Sequence, residues 1–356
     1  MDIYMLNENF ETVDIVDVFD SFLWADRYNL AGDVELKALI TPWLLQNVKR
    51  GYYVWIPDSE HTMIIDERLI STSEAEEGKY ITYYGMSLEY ILKSRIVWRQ
   101  TVITGNLQNG IEKLLNENIV NPLDFPDDRR IDNFRFQRST DPRITALTID
   151  TQFTGQDLYE VVTKICGERG LGFKIIMNEQ NQFVFSLYYG TDRSYAQEDN
   201  PYVIFSPTFD NLLDSRYYES DRIHKNVALI GGEGEGLARR TQVIGNGRGL
   251  RRKEVFIDAR DVSSNNGAIG ATQYNQMLQS RGMERMRDYR FITEFDGSAE
   301  TTILYKYGVD FWLGDIIYVE NEYDIGNNVR ASEIIFSYDN ENGYKVVPGF
   351  SIIEED

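Results

Sequence analysis

The sequence is poor in the residues that build most catalytic and metal centres. Its 356 residues include one cysteine, Cys166, and two histidines, His61 and His224. A single cysteine excludes an internal disulfide and is typical of a chain made in a reducing compartment. Two histidines far apart in the sequence argue against a histidine-based zinc site. We therefore predict no metal, no cofactor and no catalytic residue.

Long apolar runs are also missing. No stretch approaches the roughly 20 apolar residues that a membrane-spanning helix needs. The N-terminus, MDIYMLNENF, lacks the basic start and the apolar core of a signal peptide. These absences predict a protein that is not inserted into a membrane.

Acidic residues dominate the charge that is present. The chain has 36 Lys+Arg against 57 Asp+Glu, which gives a formal net charge of −21. This balance argues against a general nucleic-acid binder, because such proteins gain affinity from basic residues on phosphates. It suits a surface past which a polyanion moves without binding. With so many carboxylates, acidic pairs occur at any spacing by chance and indicate no glycosidase chemistry.

Aromatic and β-branched residues favour strands, and the predicted fold class is α+β, mainly β. Short strands at sandwich or barrel spacing predict one β domain over 1–100 and a second over 191–265 with 300–356. An α+β domain is predicted over 101–190 and a small helical insertion over 266–299. In the α+β domain, Asn106 can cap one helix, and a hairpin is predicted at Phe173–Met177 and Phe183–Tyr189. A second helix is predicted to begin at Thr154, where Thr154 and Asp157 resemble a capping box. Cys166 lies on its apolar stripe and is predicted to be a buried structural thiol.

A glycine-rich turn follows a predicted buried strand in the segment KNVALIGGEGEG at 225–236. Such a turn raises the possibility of a phosphate site, which needs glycine at the first, third and sixth places. Starting from Gly232, the sixth place is Leu237. Glu233 and Glu235 would also repel a phosphate. We interpret the segment as a turn whose glycines serve backbone geometry.

A possible internal repeat links the two predicted β domains. The order RGYYVWI, MIIDERLIST, EEGKYITYYG near residue 51 is similar to LGDIIYV, NVRASEIIFS, ENGYKVVPG near residue 314. Gly51 and Gly78 are 78 − 51 = 27 apart, and Gly314 and Gly343 are 343 − 314 = 29 apart. Duplication explains this order, and so does the general similarity of any two three-stranded antiparallel units.

Basic residues concentrate in residues 237–290. This segment has eleven basic and five acidic residues, a balance of 11 − 5 = +6 that leaves −21 − 6 = −27 on the rest of the chain. One interpretation is a solvated face with weak local ion pairs. The other is a surface that docks onto an acidic neighbour, where charge complementarity sets the register. The candidate assembly residues are Arg239, Arg240, Arg251, Arg252, Arg281, Arg285 and Arg287.

Several blocks, taken in order, resemble one protein family. They are IVWRQT (96–101), VIFSPTFDNLLDSRYYES (203–220), KNVALIGGEGEG (225–236), VFIDARDVS (255–263) and YGVDFWLGDIIYV (307–319), and WADRYNLAGDVELKAL (24–39) also fits. Together they resemble the tail-hub, or baseplate-hub, family of tailed bacteriophages and prophages over nearly the whole chain. The resemblance implies a homotrimeric ring in which two similar barrels per subunit match a sixfold tail tube.

The resemblance also implies the surroundings of the protein. A hub is made in the cytoplasm of the host bacterium and sits at the distal tip of the virion tail. Its neighbours would be the tail tube, the distal tail protein, the tape-measure protein and the receptor-binding or tip proteins. DNA would pass through the ring without specific binding. Two other functions stay open, a tail-tip cell-wall hydrolase and a carbohydrate-binding host-recognition module. We expect no hydrolase, because the chain ends at Asp356 without room for a lytic extension.

Overall fold

A computed structural model describes residues 1–72, 79–299, 301 and 304–353. Gly78 of the proposed repeat and the acidic residues 354–356 therefore lie outside the described residues. Three groups of buried residues, each with its own strands and helices, make up the described part of the chain.

The described residues of the first part of the chain form seven strands and one short helix. They are β1 (Ile3–Leu6), β2 (Thr12–Val16), β3 (Ser21–Arg27), β4 (Asp33–Leu39), α1 (Pro42–Asn47), β5 (Tyr53–Trp55), β6 (Thr62–Thr72) and β7 (Lys79–Ser87). Alternation decides which face each strand buries, because successive side chains point to opposite faces. In β4, Val34, Leu36 and Ala38 are buried, while Glu35 between them is exposed.

The middle of the chain alternates strands and helices. Its elements are β8 (Thr101–Asn106), α2 (Leu107–Leu115), α3 (Pro126–Arg129), β9 (Phe134–Gln137), α4 (Pro142–Thr145), β10 (Thr148–Phe153), α5 (Leu158–Glu168), β11 (Gly172–Met177) and β12 (Phe183–Tyr188). β8 pairs with β10, and β11, β12 and β9 form a three-stranded sheet. The apolar stripes of α2 and α5 face a shared core that includes Cys166.

Two helices, α2 and α5, each begin directly after a residue whose side chain accepts a backbone hydrogen bond. The predicted cap Asn106 is confirmed, since its side chain accepts from the N–H of Asn109. The predicted start of α5 at Thr154 is wrong, because Asp157 is the N-cap and accepts from the N–H of Glu160. A carboxylate at this position satisfies a free N–H and complements the positive end of the helix dipole.

The last part of the chain adds nine strands and the longest helix among the described residues. They are β13 (Ile204–Phe205), β14 (Leu212–Ser220), β15 (Val227–Gly231), β16 (Thr241–Gly245), β17 (Glu254–Asp258), α6 (Ala271–Met286), β18 (Ile292–Ala299), β19 (Ile316–Glu320), β20 (Gly326–Asp339) and β21 (Gly343–Ile352). β14 pairs with β18, and β16, β15 and β17 form a sheet of their own.

One eleven-stranded sheet joins the two ends of the chain. Its order is β13-β19-β20-β3-β4-β7-β6-β5-β1-β2, with β21 also on β20. The joint is the antiparallel pair β3–β20, where Trp24 lies opposite Phe336 and Arg27 lies opposite Glu333. Among the described residues the path stays open between β13 and β2. The mainly β prediction is confirmed, and the closure of two barrels stays a prediction.

The three-stranded sheet β16-β15-β17 has a separate small core. Its buried members, including Ala228, Ile230 and Ile257, pack against Tyr274 and Leu278 of α6. The sheet makes no strand pair with the eleven-stranded sheet within the described residues. The predicted domain limits, which place 191–265 with 300–356, stay a prediction.

Two hairpin units repeat the same backbone contact. In the first, Gly51 has φ +86° and its N–H donates to the carbonyl of Ile65 at 2.7 Å, directly before a bulge in β6. In the second, Gly314 has φ +94° and its N–H donates to the carbonyl of Ala331 at 2.7 Å, directly before a bulge in β20. A bulge bends the strand that contains it, so β6 and β20 both bend directly after the residue that accepts from the glycine.

Candidate functional site

The glycine-rich turn connects β15 to β16 and is anchored to the loop that follows β17. Gly234 and Gly236 have φ values of +94° and +54°, a region that glycine adopts without strain. Glu233 accepts hydrogen bonds from Ser263 Oγ at 2.9 Å and from the N–H of Ser264 at 2.7 Å. Burial raises the pKa of Glu233, but these hydrogen bonds outweigh burial and hold the pKa below its usual range. The glutamate is therefore an anchor for the backbone, as expected of a structural turn.

The sheet exposes a row of apolar side chains on the face that α6 does not cover. Leu229 lies directly opposite Val243 on one side and Phe256 on the other. Their exposed fractions are 58% for Val243, 44% for Leu229 and 52% for Phe256. The predicted buried strand before the glycine-rich turn is therefore only partly confirmed, because Leu229 in β15 points away from the core.

Arg239 lies across this row. Its guanidinium stands 5.1 Å from the centre of the Phe256 ring and donates to Asp258 Oδ1 at 2.8 Å. It also donates to the carbonyl of Gly231 at 3.0 Å. A side chain at position 231 would collide with this guanidinium. Arg239 thus forms a fixed, charged border of the apolar row, with stacking and ionic contacts adding to each other.

Three other predicted arginines also lie beside the sheet. Arg240 stands 5.0 Å from the Tyr274 ring. Arg251 is exposed in the turn before β17, and Arg252 pairs with Glu254. Arg248 and Leu250, in the same turn, are exposed as well. We define the basic face as Leu229, Val243 and Phe256 with Arg239, Arg248 and Arg251.

The predicted arginines of α6 and its end have different surroundings. Arg281 is buried and in ionic contact with Asp261 and Glu284, 2.8 Å from the latter. Glu284 also contacts Lys164 of α5. Arg287 donates to the carbonyls of Gly167, at 2.9 Å, and Glu168, where α5 ends. Cations stabilise the negative end of a helix. Arg281 and Arg287 therefore tie α6 to the middle of the chain, while Arg285 is exposed.

The apolar row was missed at the sequence level. Strands β15 and β17 carry apolar residues on both faces, a pattern typical of fully buried strands. Only the one-sided packing of α6 leaves Leu229 and Phe256 exposed. The signal in the sequence that pointed to this region was the clustering of arginines after Gly236. Whether these arginines form an assembly interface stays a prediction.

A second charged cluster lies in the interior. His61 Nδ1 is 3.2 Å from Glu89 Oε1, an ionic contact without hydrogen-bond alignment, and Asp26 lies close by. Burial raises the pKa of Asp26 above its usual range. Burial alone would lower the pKa of His61, but Asp26 and Glu89 outweigh it and raise that pKa to about 9.

This cluster connects parts of the chain instead of facing a substrate. Asp26 accepts from Trp24 Nε1 at 2.7 Å and from Ser59 Oγ at 2.6 Å. Glu89 accepts from the N–H of Ile175 in β11 at 2.7 Å. His61 and Glu89 are 3% and 1% exposed, so no substrate reaches them. The cluster therefore fixes the first strands against the middle of the chain.

Other potential sites show structural surroundings. Cys166 is fully buried, and burial raises the pKa of its thiol well above the usual range, which confirms the predicted structural thiol. Within the described ranges, no cluster of three or more His, Cys, Asp or Glu residues could hold a metal ion. None of the helices that the structure describes is long and apolar enough to cross a membrane.

Solved structures with a similar fold include three tail proteins, two of them from prophages. A tail protein from Neisseria meningitidis MC58 matches with a TM-score of 0.59 and 14% identity, over 98% of this chain and 95% of that chain. The 43 kDa tail protein of prophage MuSo2 from Shewanella oneidensis matches with a TM-score of 0.58 and 14% identity, over 99% and 98%. Prophage tail protein gp18 from Listeria monocytogenes EGD-e matches with a TM-score of 0.56 and 12% identity, over 99% and 96%.

The sequence itself matches one family along most of its length. The model of the Siphovirus ReqiPepy6 Gp37-like protein family covers residues 1–350. Among curated protein sequences, none matches significantly. The chain belongs to the Siphovirus ReqiPepy6 Gp37-like family, and the predicted resemblance to a tail protein of tailed phages is confirmed.

Proposed function

We propose that this chain is the hub subunit of a phage or prophage tail tip, with three copies forming a ring. The ring would join the tail tube and the distal tail protein to the receptor-binding parts below. The observation that carries the proposal is the family match over residues 1–350 together with the tail-protein fold. The proposed location is the distal end of the virion tail, after synthesis in the host cytoplasm.

The charge of the chain supports passage of DNA through the ring. With a net charge of −21, most of the surface repels a polyanion. DNA and the tape-measure protein would cross the lumen without being held. We expect Asp and Glu to outnumber Lys and Arg on the lumen wall.

The repeated hairpin contact supports two related barrels per subunit. Gly51 and Gly314 make equivalent hydrogen bonds before equivalent bulges. A subunit with two similar halves lets a trimer present six similar positions to a sixfold tube. We propose that 1–100 forms one half, and that 191–265 with 300–356 forms the other. The limits 101–190 and 266–299 are proposed for the α+β domain and the helical insertion.

The mass of the protein in solution tests the ring. We expect a threefold species by light scattering, and threefold rings with a central hole by electron microscopy. Rings of another symmetry, or a protein that is never incorporated at the tip of assembled tails, would contradict the proposal.

We propose no catalytic role. The cluster of His61, Glu89 and Asp26 is closed to solvent, so it offers no acid or base to a substrate. A zymogram on bacterial cell walls is expected to show no clearing, and binding assays with cell-wall glycans are expected to show no retention. Clearing would favour the hydrolase, and retention would favour the carbohydrate-binding module.

A further inference from the structure

We infer that the basic face of one copy binds the acidic N-terminal ribbon of a second copy. The acidic ribbon is defined as residues 1–20, which contain β1 and β2. This inference rests on the proposed ring and names the two surfaces that would meet in it.

The basic face has the composition of a protein contact. Three apolar side chains that are 44–58% exposed form one row across the sheet, and Arg239 is stacked at its edge. Exposed apolar rows with arginine and aromatic residues are typical of interface centres. The fully exposed Leu250 lies beside Arg248 and Arg251 in the adjoining turn. Exposed apolar and basic groups therefore occur both on this sheet and in the turn that adjoins it.

The acidic ribbon offers the complementary properties. Residues 1–20 contain six acidic residues and no basic one, whereas residues 237–253 contain six basic residues and no acidic one. Val18 and Ile15 in the ribbon are 74% and 47% exposed. β2 ends the path of the eleven-stranded sheet, so within the described residues its outer edge has no strand partner. Apolar groups surrounded by carboxylates face apolar groups surrounded by arginines in this pairing.

The two surfaces are different, and this matters for the geometry of assembly. An interface between two different patches repeats from one copy to the next, and it closes into a ring when the rotation per copy allows. Each subunit would use its basic face once and its acidic ribbon once. A trimer built in this way leaves neither surface uncovered.

Nucleic acid fits the basic face less well. Its centre is the apolar row Val243, Leu229 and Phe256, which gains nothing from a phosphate backbone. Arg239 is already paired with Asp258. The surrounding chain is strongly acidic and would repel DNA.

Charge reversal tests the pairing. One variant carries Arg248→Glu with Arg251→Glu, and a second carries Asp2→Lys with Asp17→Lys. All four positions are exposed. Asp2 and Asp17 directly flank the paired residues Ile3 and Val16 of β1 and β2. The mass is measured by analytical ultracentrifugation over a concentration series at low and moderate salt. Each variant is expected to weaken self-association by about tenfold or more, and the variant carrying all four changes is expected to regain it.

Matched variants separate assembly from folding. Lys49→Glu with Arg50→Glu makes the same change of charge at exposed positions outside the basic face, and it is expected to assemble like the wild type. Phe256→Ser and Leu229→Ser are expected to weaken association by about tenfold, and Leu39→Ser, a position that is 51% exposed in β4, is expected to have no effect. All variants should keep the far-ultraviolet circular dichroism spectrum of the wild type, which shows that each subunit is folded.

The outcomes distinguish this inference from the proposed function. A wild-type trimer that neither charge reversal weakens overturns the inference and leaves the ring intact. A wild-type protein that stays monomeric at every concentration overturns both. A third outcome is that double-stranded DNA binds the wild type, and that the variant with Arg248→Glu and Arg251→Glu loses this binding while its mass is unchanged. This outcome assigns the face to nucleic acid and also overturns the inference.

Discussion

The eleven-stranded sheet and the three-stranded sheet bury their side chains to different degrees. The large sheet encloses Trp24 and Phe336, which are 0% and 1% exposed, in a core shared by both ends of the chain. The small sheet has apolar residues on two faces, and among the described residues a helix covers only one of them, so Phe256 stays half-exposed. Apolar area removed from water stabilises a fold, and apolar area left in water is available for a partner. The first sheet therefore serves stability and the second offers a surface.

The largest expected effect separates one buried aromatic residue from one exposed aromatic residue. Trp24→Ala should lower the free energy of unfolding by about 3–5 kcal/mol, because it leaves a cavity and removes the donor to Asp26. Phe256→Ala should change it by about 0.5 kcal/mol or less. Urea unfolding followed by circular dichroism measures both. Equal losses would contradict the difference between the two sheets.

The two hairpin units of the large sheet give the next comparison. A Cβ at Gly314 would lie 2.4 Å from the Tyr28 ring, whereas a Cβ at Gly51 meets no atom within 4 Å. Both glycines have positive φ. Gly51→Ala should therefore cost about 1–2 kcal/mol of backbone strain, and Gly314→Ala about 2–4 kcal/mol, since crowding adds to strain. Denaturant midpoints of the two variants measure this difference, and equal costs would show that the units are packed alike.

The pH dependence of stability compares the two histidines of the chain. His61 directly precedes β6 of the large sheet, and His224 lies just before β15 of the small sheet. His61 has a folded-state pKa raised to about 9 from an unfolded value of 6.5, so its charged form stabilises the fold. That contribution is complete below pH 6.5 and is lost as the pH rises through about 9. The loss should be on the order of 3 kcal/mol, because one pKa unit corresponds to about 1.4 kcal/mol. His61→Gln should remove this part of the pH dependence of the unfolding free energy, and the control His224→Gln should leave it in place.

The smallest expected effect lies in the charge pairs of the two sheets. Arg27 Nε is 2.7 Å from Glu333 at the joint of the large sheet, and Arg27 also contacts Asp33. Glu333→Gln should cost about 0.5–1 kcal/mol, because the pair is half-buried and Arg27 keeps a second partner. Glu254→Gln, which removes the partner of Arg252 on the small sheet, should cost less than about 0.5 kcal/mol. A larger cost for Glu254→Gln would contradict this order.

Local patterns in the sequence predicted the local elements well. The hairpin at 173–189, the cap at Asn106 and the buried Cys166 follow from alternation, side-chain chemistry and helical spacing over a few residues. The start of α5 was wrong because two acceptors, Thr154 and Asp157, compete within one turn, and the backbone selects the second. Gly155 and Gln156 hydrogen-bond to the backbone of Val97, a contact that is distant in sequence and holds these residues outside the helix.

The surroundings of the arginines needed the fold. The sequence shows eleven basic residues in 237–290. It does not show that some of them lie on the basic face while Arg281 is buried in contact with Glu284. Arg281 and Arg285 are four residues apart on one helix, yet only Arg281 turns toward the middle of the chain. A variant that neutralises Arg281, Arg285 and Arg287 together would therefore be a poor test of assembly. The loss of Arg281 and Arg287 would also break contacts within one subunit.

The sequence by itself determined the mainly β character, the family, the acidic charge and the structural nature of the glycine-rich turn. These depend on composition, on short-range patterns and on the order of blocks, which are properties of the linear chain. Only the tertiary structure decided that the two ends share one sheet through β3 and β20, and that Leu229, Val243 and Phe256 form an exposed row. Both results depend on which distant strands pair and which face a helix covers, and contacts between residues far apart in the sequence leave no local pattern.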